Sequence, residues 1–100
     1  MTSEPLAAVL AEIDAMEDGI FETLSELVRI PSVTPKYPGL DFDEHVGGEG
    51  RCNQALSATF AAAGCEIDLW AEEQGRENLV GVVRGASGGK SLILNGHVDT

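Results

Sequence analysis

The residues best suited to chemistry lie at positions 95–100, whose sequence is NGHVDT. They follow a short apolar run, so we expect them at the carboxyl end of a β-strand, where open α/β sheets bind ligands. Alternation along a strand projects Asn95, His97 and Asp99 to the same side. One imidazole nitrogen of His97 can bind a metal, and the Asp99 carboxylate can accept a hydrogen bond from the other. This spacing suits a metal ligand, His97, oriented by a catalytic aspartate, Asp99, but H-x-D alone is a short, weak motif, and a surface histidine beside an aspartate has the same pattern.

Residues 84–91, with the sequence RGASGGKS, imitate two other motifs. Residues 85–89 fit the G-x-S-x-G pattern of a nucleophile elbow, which requires a strand before the serine and a helix after it. Residues 89–91 look like the end of a phosphate-binding P-loop, but Arg84 stands where the first glycine belongs. Neither motif is followed by a predicted helix, so we interpret this stretch as a glycine-rich turn between two strands.

Residues 41–45, with the sequence DFDEH, group three carboxylates and a histidine. Carboxylate oxygens suit hard cations, but the spacing and the loop glycine of an EF-hand are missing. A solvated acidic loop is therefore the preferred interpretation.

The first of the elements that must position these residues is a helix. Pro31 ends this helix. Ser3 is placed to cap its first turn, and Gly19 is a weak point at which the helix could bend or split. A coiled coil is one interpretation of its apolar stripe, but the pattern lasts under four heptads and lacks basic partners. We expect the stripe to face a core; it contains Leu6, Val9, Leu10, Ile13, Met16, Ile20, Leu24, Leu27 and Val28.

Proline and glycine punctuate residues 31–48 and predict a long loop. Residues 49–63 predict a second helix, which Gly64 terminates.

Three strands are predicted after the second helix. Residues 65–70 alternate apolar and acidic side chains, as a half-buried strand does, and residues 78–84 are mostly apolar. Residues 91–96 form the third strand, whose unbroken apolar centre predicts burial on both faces. This order of elements predicts an α/β sheet. A strand buried on both faces needs neighbours, so we expect the chain to be the front piece of a longer one rather than part of a sheet completed from elsewhere.

Composition narrows the class of partner. The 100 residues fit one small domain, with 43% hydrophobic residues and a net charge of −11. The acidic balance argues against binding to nucleic acid or to an anionic membrane surface. No apolar run approaches the roughly 20 residues that span a bilayer, and no secretory signal is visible, so we expect a cytoplasmic protein.

Cysteine content adds little to this picture. Cys52 and Cys65 stand apart without a second pair, so no zinc ribbon or CxxC redox motif is present. We expect two reduced, partly buried thiols, and the sequence leaves a disulfide between them open.

Four segments follow one another in an order that is informative about family. They are LVRIPSV at residues 27–33, a helix ending in Ala63-Gly64, RENLV at residues 76–80 and LILNGHVDT at residues 92–100. In this order they resemble the N-terminal part of the M20 family of zinc metallopeptidases and deacylases, the acetylornithine deacetylase and succinyl-diaminopimelate desuccinylase group. The last segment is the most specific of the four.

The resemblance implies a fold and two site residues. Residues 1–100 would be the N-terminal portion of a zinc-peptidase-type catalytic domain, with two helices before a mainly parallel mixed sheet, incomplete as given. His97 matches the first zinc ligand of the family, and Asp99 matches the acid that orients it. The remaining metal ligands, the glutamate base and the smaller dimerising lid domain all come after Thr100 in the family.

The implied activity of the whole enzyme is hydrolysis of an amide bond in N-acyl amino acids or small peptides. Two zinc ions, or cobalt as a substitute, would share one water, and the full-length enzyme would be a homodimer. The isolated chain is expected to be inactive. The alternative is a non-catalytic α/β binding or scaffold module with an incidental H-x-D, since a tight zinc site needs three or four ligands.

Overall fold

The computed structural model describes residues 3–100 and has the α/β composition that the sequence predicts. The described chain contains four helices and two strands. In chain order they are α1 (Glu4–Ala15), α2 (Glu17–Val28), α3 (Phe42–His45), α4 (Gly48–Ala62), β1 (Glu66–Trp70) and β2 (Asn78–Val82).

The predicted first helix is two helices, α1 and α2. Ser3 caps α1 as predicted, because its side chain accepts a hydrogen bond from the third amide beyond it. The interruption falls at Met16 rather than at Gly19, which lies inside α2. The Met16 amide is shared between the carbonyls of Glu12 and Ile13, at 3.0 and 3.1 Å. A shared amide of this kind is common where a helix ends, whereas glycine only lowers helix propensity and forces no break.

The apolar stripe of α1 and α2 lies open to solvent. Neither helix contains a buried residue, so the expected core-facing packing is absent from residues 3–100. The reason is geometric: α2 packs against α4, but no described layer covers the stripe. No helix among the same residues is long and apolar enough to cross a membrane. The exposed members of the stripe are Leu6, Val9, Leu10, Ile13, Met16, Ile20, Leu24 and Val28.

The second predicted helix is confirmed as α4, with each end displaced by one residue. Gly64 follows it with a φ of 88°, a left-handed conformation that favours glycine and stops the helix as predicted. The loop before α4 is not wholly irregular. Asp41 caps the short helix α3 by accepting a hydrogen bond from the amide of Asp43 at 2.9 Å.

Strands β1 and β2 pair antiparallel, with Glu66 opposite Val82 and Trp70 opposite Asn78. A mainly parallel sheet is therefore not what residues 3–100 form. Only residues 71–77 join the two strands, and parallel neighbours need a crossover of a dozen or more residues.

The predicted third strand is wrong for the described chain. Residues 91–96 adopt no regular structure. The side chains of Leu92, Ile93 and Leu94 are 81%, 87% and 87% exposed. Their apolar run predicts burial, but no described strand pairs with it and no described helix covers it.

The buried part of the described chain is small. No large side chain is fully buried, and the buried residues of the described chain are Ser32, Pro35, Gly48, Gly50, Cys52 and Asn53. They lie around the N-terminal half of α4, where Gly48 meets Pro31 and Gly50 and Asn53 lie against Glu77. Both cysteines are free, as predicted, and burial raises the pKa of the Cys52 thiol.

Glycine allows this close approach. A Cβ on Gly48 would overlap the carbonyl oxygen of Pro31, which is backbone and cannot rotate away. A Cβ on Gly50 would likewise meet the carboxylate of Glu77. The first turn of α4 thus accepts two other segments at van der Waals distance, because two of its residues have no side chain.

We expect Gly48→Ala to lower the free energy of unfolding by about 1–3 kcal/mol, the range of an overpacked buried site. The matched control is Gly19→Ala in α2, where an added Cβ meets nothing within 4 Å. That change should be neutral or should stabilise by up to about 1 kcal/mol through helix propensity. Urea unfolding followed by circular dichroism measures both. Equal shifts for the two variants would contradict the close contact at Pro31.

Candidate functional site

His97 and Asp99, the two site residues predicted from the sequence, lie in contact. Nδ1 of His97 is 3.1 Å from Oδ1 of Asp99 and 3.0 Å from the Asp99 backbone carbonyl oxygen. Both partners are acceptors, so Nδ1 must carry the proton in this arrangement. The lone pair of a neutral imidazole is then on Nε2, the nitrogen available to a metal.

The pair lies at the surface of the described chain. The side chain of His97 is 82% exposed and that of Asp99 is 43% exposed. The hydrogen bonds above fix which nitrogen is protonated, but they add little stability because water competes for both groups.

The backbone around the pair is held by residues 32–34. The hydroxyl of Ser32 donates to the Val98 carbonyl at 2.6 Å, and Ser32 is only 6% exposed. The Thr100 amide donates to the Ser32 carbonyl at 3.0 Å, and the Thr34 amide donates to the Thr100 carbonyl at 2.9 Å. Thr100 thus donates its amide to Ser32 and accepts from the amide of Thr34, two residues further along the facing segment. Paired parallel strands have this pattern of hydrogen bonds. These two hydrogen bonds are local, and residues 3–100 contain no parallel sheet.

An ion-pair network borders this pairing. Arg76 donates to both carboxylate oxygens of Glu49, at 2.9 and 3.3 Å, and to the Thr34 hydroxyl at 3.4 Å. Glu73 lies 3.7 Å from the same guanidinium and 2.9 Å from the amine of Lys36. The hydrogen bond from Lys36 is the largest cause of the lowered pKa of Glu73.

This network lines an open polar groove of about 580 Å³. Lys36, Glu49, Glu72, Glu73, Arg76 and Asn78 form its walls.

Glu77, the residue after Arg76, connects the loop between β1 and β2 to α4. Its Oε1 accepts a hydrogen bond from the Gly75 amide at 3.3 Å, and its backbone carbonyl accepts one from the Asn53 side chain at 2.8 Å. Its other carboxylate oxygen is buried against Gly50 without a hydrogen-bond partner in the described structure. A carboxylate near the start of a helix interacts favourably with the helix dipole.

The other sequence candidates do not join the site. Residues 41–45 are occupied in forming and capping α3, and Nδ1 of His45 lies 2.9 Å from the Asp41 carbonyl oxygen. Residues 85–89 are exposed, and no described helix follows them as a nucleophile elbow would require. Across residues 3–100, no three histidine, cysteine, aspartate or glutamate side chains come together as a metal site.

Comparison with known proteins shows a distant similarity to a deformylase. No protein-family profile and no solved structure matches the chain. The chain is 28% identical over 93 residues to the N-formyl-4-amino-5-aminomethyl-2-methylpyrimidine deformylase of Halalkalibacterium halodurans. The aligned part covers 91% of this chain but only 20% of that enzyme, so the chain spans about a fifth of the relative's length. This distant similarity to a deformylase is compatible with a hydrolase.

Sequence reasoning did not assign roles to Ser32, Thr34, Glu49 or Arg76. Ser32 and Arg76 do lie in two of the four segments quoted for the family resemblance, which was the available signal. Their partners are 66 and 27 residues away in the chain, so no local periodicity could reveal the contacts.

We expect Ser32→Ala to loosen the site backbone, because the Val98 carbonyl would lose its buried donor at a cost of about 1–3 kcal/mol. Hydrogen exchange of the Thr100 amide should accelerate about tenfold or more. The matched control is Ser57→Ala, whose hydroxyl bonds only to the Gln54 carbonyl within α4. Unchanged exchange at Thr100 in the Ser32 variant would show that the hydroxyl does not hold the segment.

Proposed function

We propose that this chain is the N-terminal portion of the catalytic domain of a metal-dependent amidohydrolase of the M20 type. The observation that supports it is the His97–Asp99 contact, in which the protonated Nδ1 leaves Nε2 free to bind a metal. The distant similarity to a deformylase supports the hydrolase part of this proposal, because a deformylase acts on an amide bond.

The donor set of the described chain fits one metal ligand and not a whole site. Imidazole is a ligand that zinc accepts readily, and the exposed face of His97 leaves room for further donors. We propose two zinc ions, with cobalt as a substitute, whose remaining ligands and general base lie on residues after Thr100. The strands of the complete domain would then form the mainly parallel mixed sheet.

The residues of this chain have separable tasks in such a site. Zinc, when bound, would polarise the scissile carbonyl and lower the pKa of the attacking water. Asp99 holds the proton on Nδ1 and its negative charge raises the basicity of the imidazole. Ser32 and Thr34 hold the backbone on either side of Asp99, so the backbone behind the imidazole is held in place.

The proposed substrates are small N-acyl compounds, either N-acyl amino acids or short peptides. The name of the similar enzyme adds an N-formyl aminopyrimidine to the compounds that should be assayed. The acidic chain, with a net charge of −11, argues against nucleic acid and anionic membranes as partners. We also propose that the whole enzyme is a homodimer and that it is located in the cytoplasm.

The second candidate is a non-catalytic binding or scaffold module. It is favoured by the absence of any group of three metal-binding side chains among residues 3–100 and by the exposed His97. Metal content of the complete protein separates the two, because a scaffold with an incidental H-x-D would carry no stoichiometric zinc.

In the complete protein, His97→Ala should lose metal from one position and lose activity, because it removes a metal–nitrogen bond. Asp99→Asn should keep most of its zinc when metal is in excess, yet turn over about 10–100-fold more slowly. Atomic emission for metal content, beside kcat on an N-acyl amino acid, measures both effects. His45→Ala is the matched control, since His45 lies in α3 with its ring hydrogen-bonded to the Asp41 carbonyl, and it should keep metal and activity. Full activity in Asp99→Asn, or full metal in His97→Ala, would contradict these roles.

A further inference from the structure

A groove lies at the break between α1 and α2, and we call it the helix-break groove. It has a volume of about 300 Å³ and is lined by Ile13, Asp14, Glu17, Ile20 and Phe21. Ile13 and Ile20 belong to the exposed apolar stripe, and the three apolar side chains of the groove are between 46% and 58% exposed. The groove is therefore an open, partly apolar surface in the middle of the stripe.

The groove also contains two carboxylates. Asp14 and Glu17 make no ion pair within residues 3–100. A purely apolar layer over the groove would take both carboxylates out of water without a partner, which is strongly unfavourable. Whatever covers the groove must therefore bring positive charge.

A lysine or arginine side chain has the matching chemistry. Its hydrocarbon stem can pack on Ile13 and Ile20 while its charged end reaches the two carboxylates. An arginine would also find an aromatic ring, Phe21, on the same wall. A helix can carry such residues along the border of an apolar row, which fits a stripe that runs along two helices and is accompanied by acids.

The charge of α1 and α2 opposes a second copy of this face as the occupant. Glu4–Val28 contains seven acidic residues and no lysine or arginine. Two such faces would bring like charges together across an apolar contact, which is costly. The acidic residues are Glu4, Glu12, Asp14, Glu17, Asp18, Glu22 and Glu26.

We propose that a basic amphipathic helix from the part of the same polypeptide that follows Thr100 docks on the stripe and places a lysine or arginine between Asp14 and Glu17. This inference rests on the proposed function, in which the chain is the N-terminal portion of a larger domain. The aligned part of the similar deformylase is only a fifth of that enzyme, so a relative of this kind has ample further chain. A tethered helix also docks at high effective concentration, without the entropy cost of recruiting a separate protein.

The first test identifies the occupant in cells that express the complete protein. The photoreactive amino acid p-benzoylphenylalanine replaces Phe21, and mass spectrometry identifies the peptide that bonds to it on illumination. We expect a peptide from beyond Thr100 in a product with the mass of one polypeptide, with a lysine or arginine near the bonded residue. A product with the mass of two copies, a product with another protein, or a bonded peptide without a basic residue would each overturn the proposal.

The second test measures hydrogen exchange of α1 and α2 in the complete protein and decides alone if no crosslinked product forms. Wild-type amides of the two helices should be protected, and Asp14→Lys with Glu17→Lys should accelerate their exchange about tenfold or more. The matched control is Glu22→Lys with Glu26→Lys, which reverses two exposed acids of α2 that do not line the groove and should stay near the wild type. Unprotected wild-type helices, or equal acceleration in the two pairs, would overturn the proposal.

Two further variants keep the second test decisive. If the lysine pair fails to fold, Asp14→Asn with Glu17→Gln should accelerate exchange in the same direction by a smaller factor, and no acceleration would overturn the proposal. Changing the crosslinked basic residue to glutamate in the lysine pair should restore protection, because it restores opposite charges across the contact. Absence of that rescue would contradict the ion pair.

Failure of the docking and failure of the proposed function give different results. A zinc-containing protein that hydrolyses an N-acyl substrate while α1 and α2 exchange freely would overturn the docking alone. A protein that gives the expected crosslink and protection but holds no zinc and hydrolyses no N-acyl substrate would reject the proposed function and leave the docking in place.

Discussion

The structure depends on the close approach of the Pro31 carbonyl to Gly48 in the first turn of α4. This contact requires glycine, since a Cβ would overlap the carbonyl oxygen. It places the next residue, Ser32, in the buried layer, where the hydroxyl reaches the Val98 carbonyl. The position of His97 therefore depends on a helix turn that is far from it in the sequence. The connection between them consists of backbone contacts and hydrogen bonds, not of a hydrophobic core.

Polar contacts make the long-range connections between the candidate site and the rest of residues 3–100. Only six of the residues that the structure describes are buried, and the largest apolar side chains of α1, α2 and residues 92–94 face solvent. The connections to the candidate site are instead hydrogen bonds of Ser32 and Thr34 and the Arg76–Glu49 ion pair. A site held in this way has its imidazole open to solvent while the backbone behind it is fixed, which suits a ligand that must meet other groups.

The sequence predicted the local features well, because local chemistry determines them. The Ser3 cap, the Gly64 stop and the start of β2 at Asn78 all follow from residue type and short-range pattern. The strand predicted at residues 91–96 failed because an apolar run indicates burial but cannot supply the neighbours that bury it. The pairing of Ser32 with Val98 spans 66 residues, and no periodicity encodes a contact of that range. The adjacency of His97 and Asp99 followed from their spacing, whereas the identity of a bound metal does not follow from two residues.

Anomalous diffraction at the zinc edge, from crystals of the complete protein grown with zinc, tests most directly whether His97 serves as a metal ligand. We expect a zinc peak about 2.0–2.1 Å from Nε2 of His97, with Nδ1 still hydrogen-bonded to the Asp99 carboxylate. A zinc-loaded protein with no peak near His97, or with the metal on Nδ1 and Asp99 turned away, would contradict the proposed site.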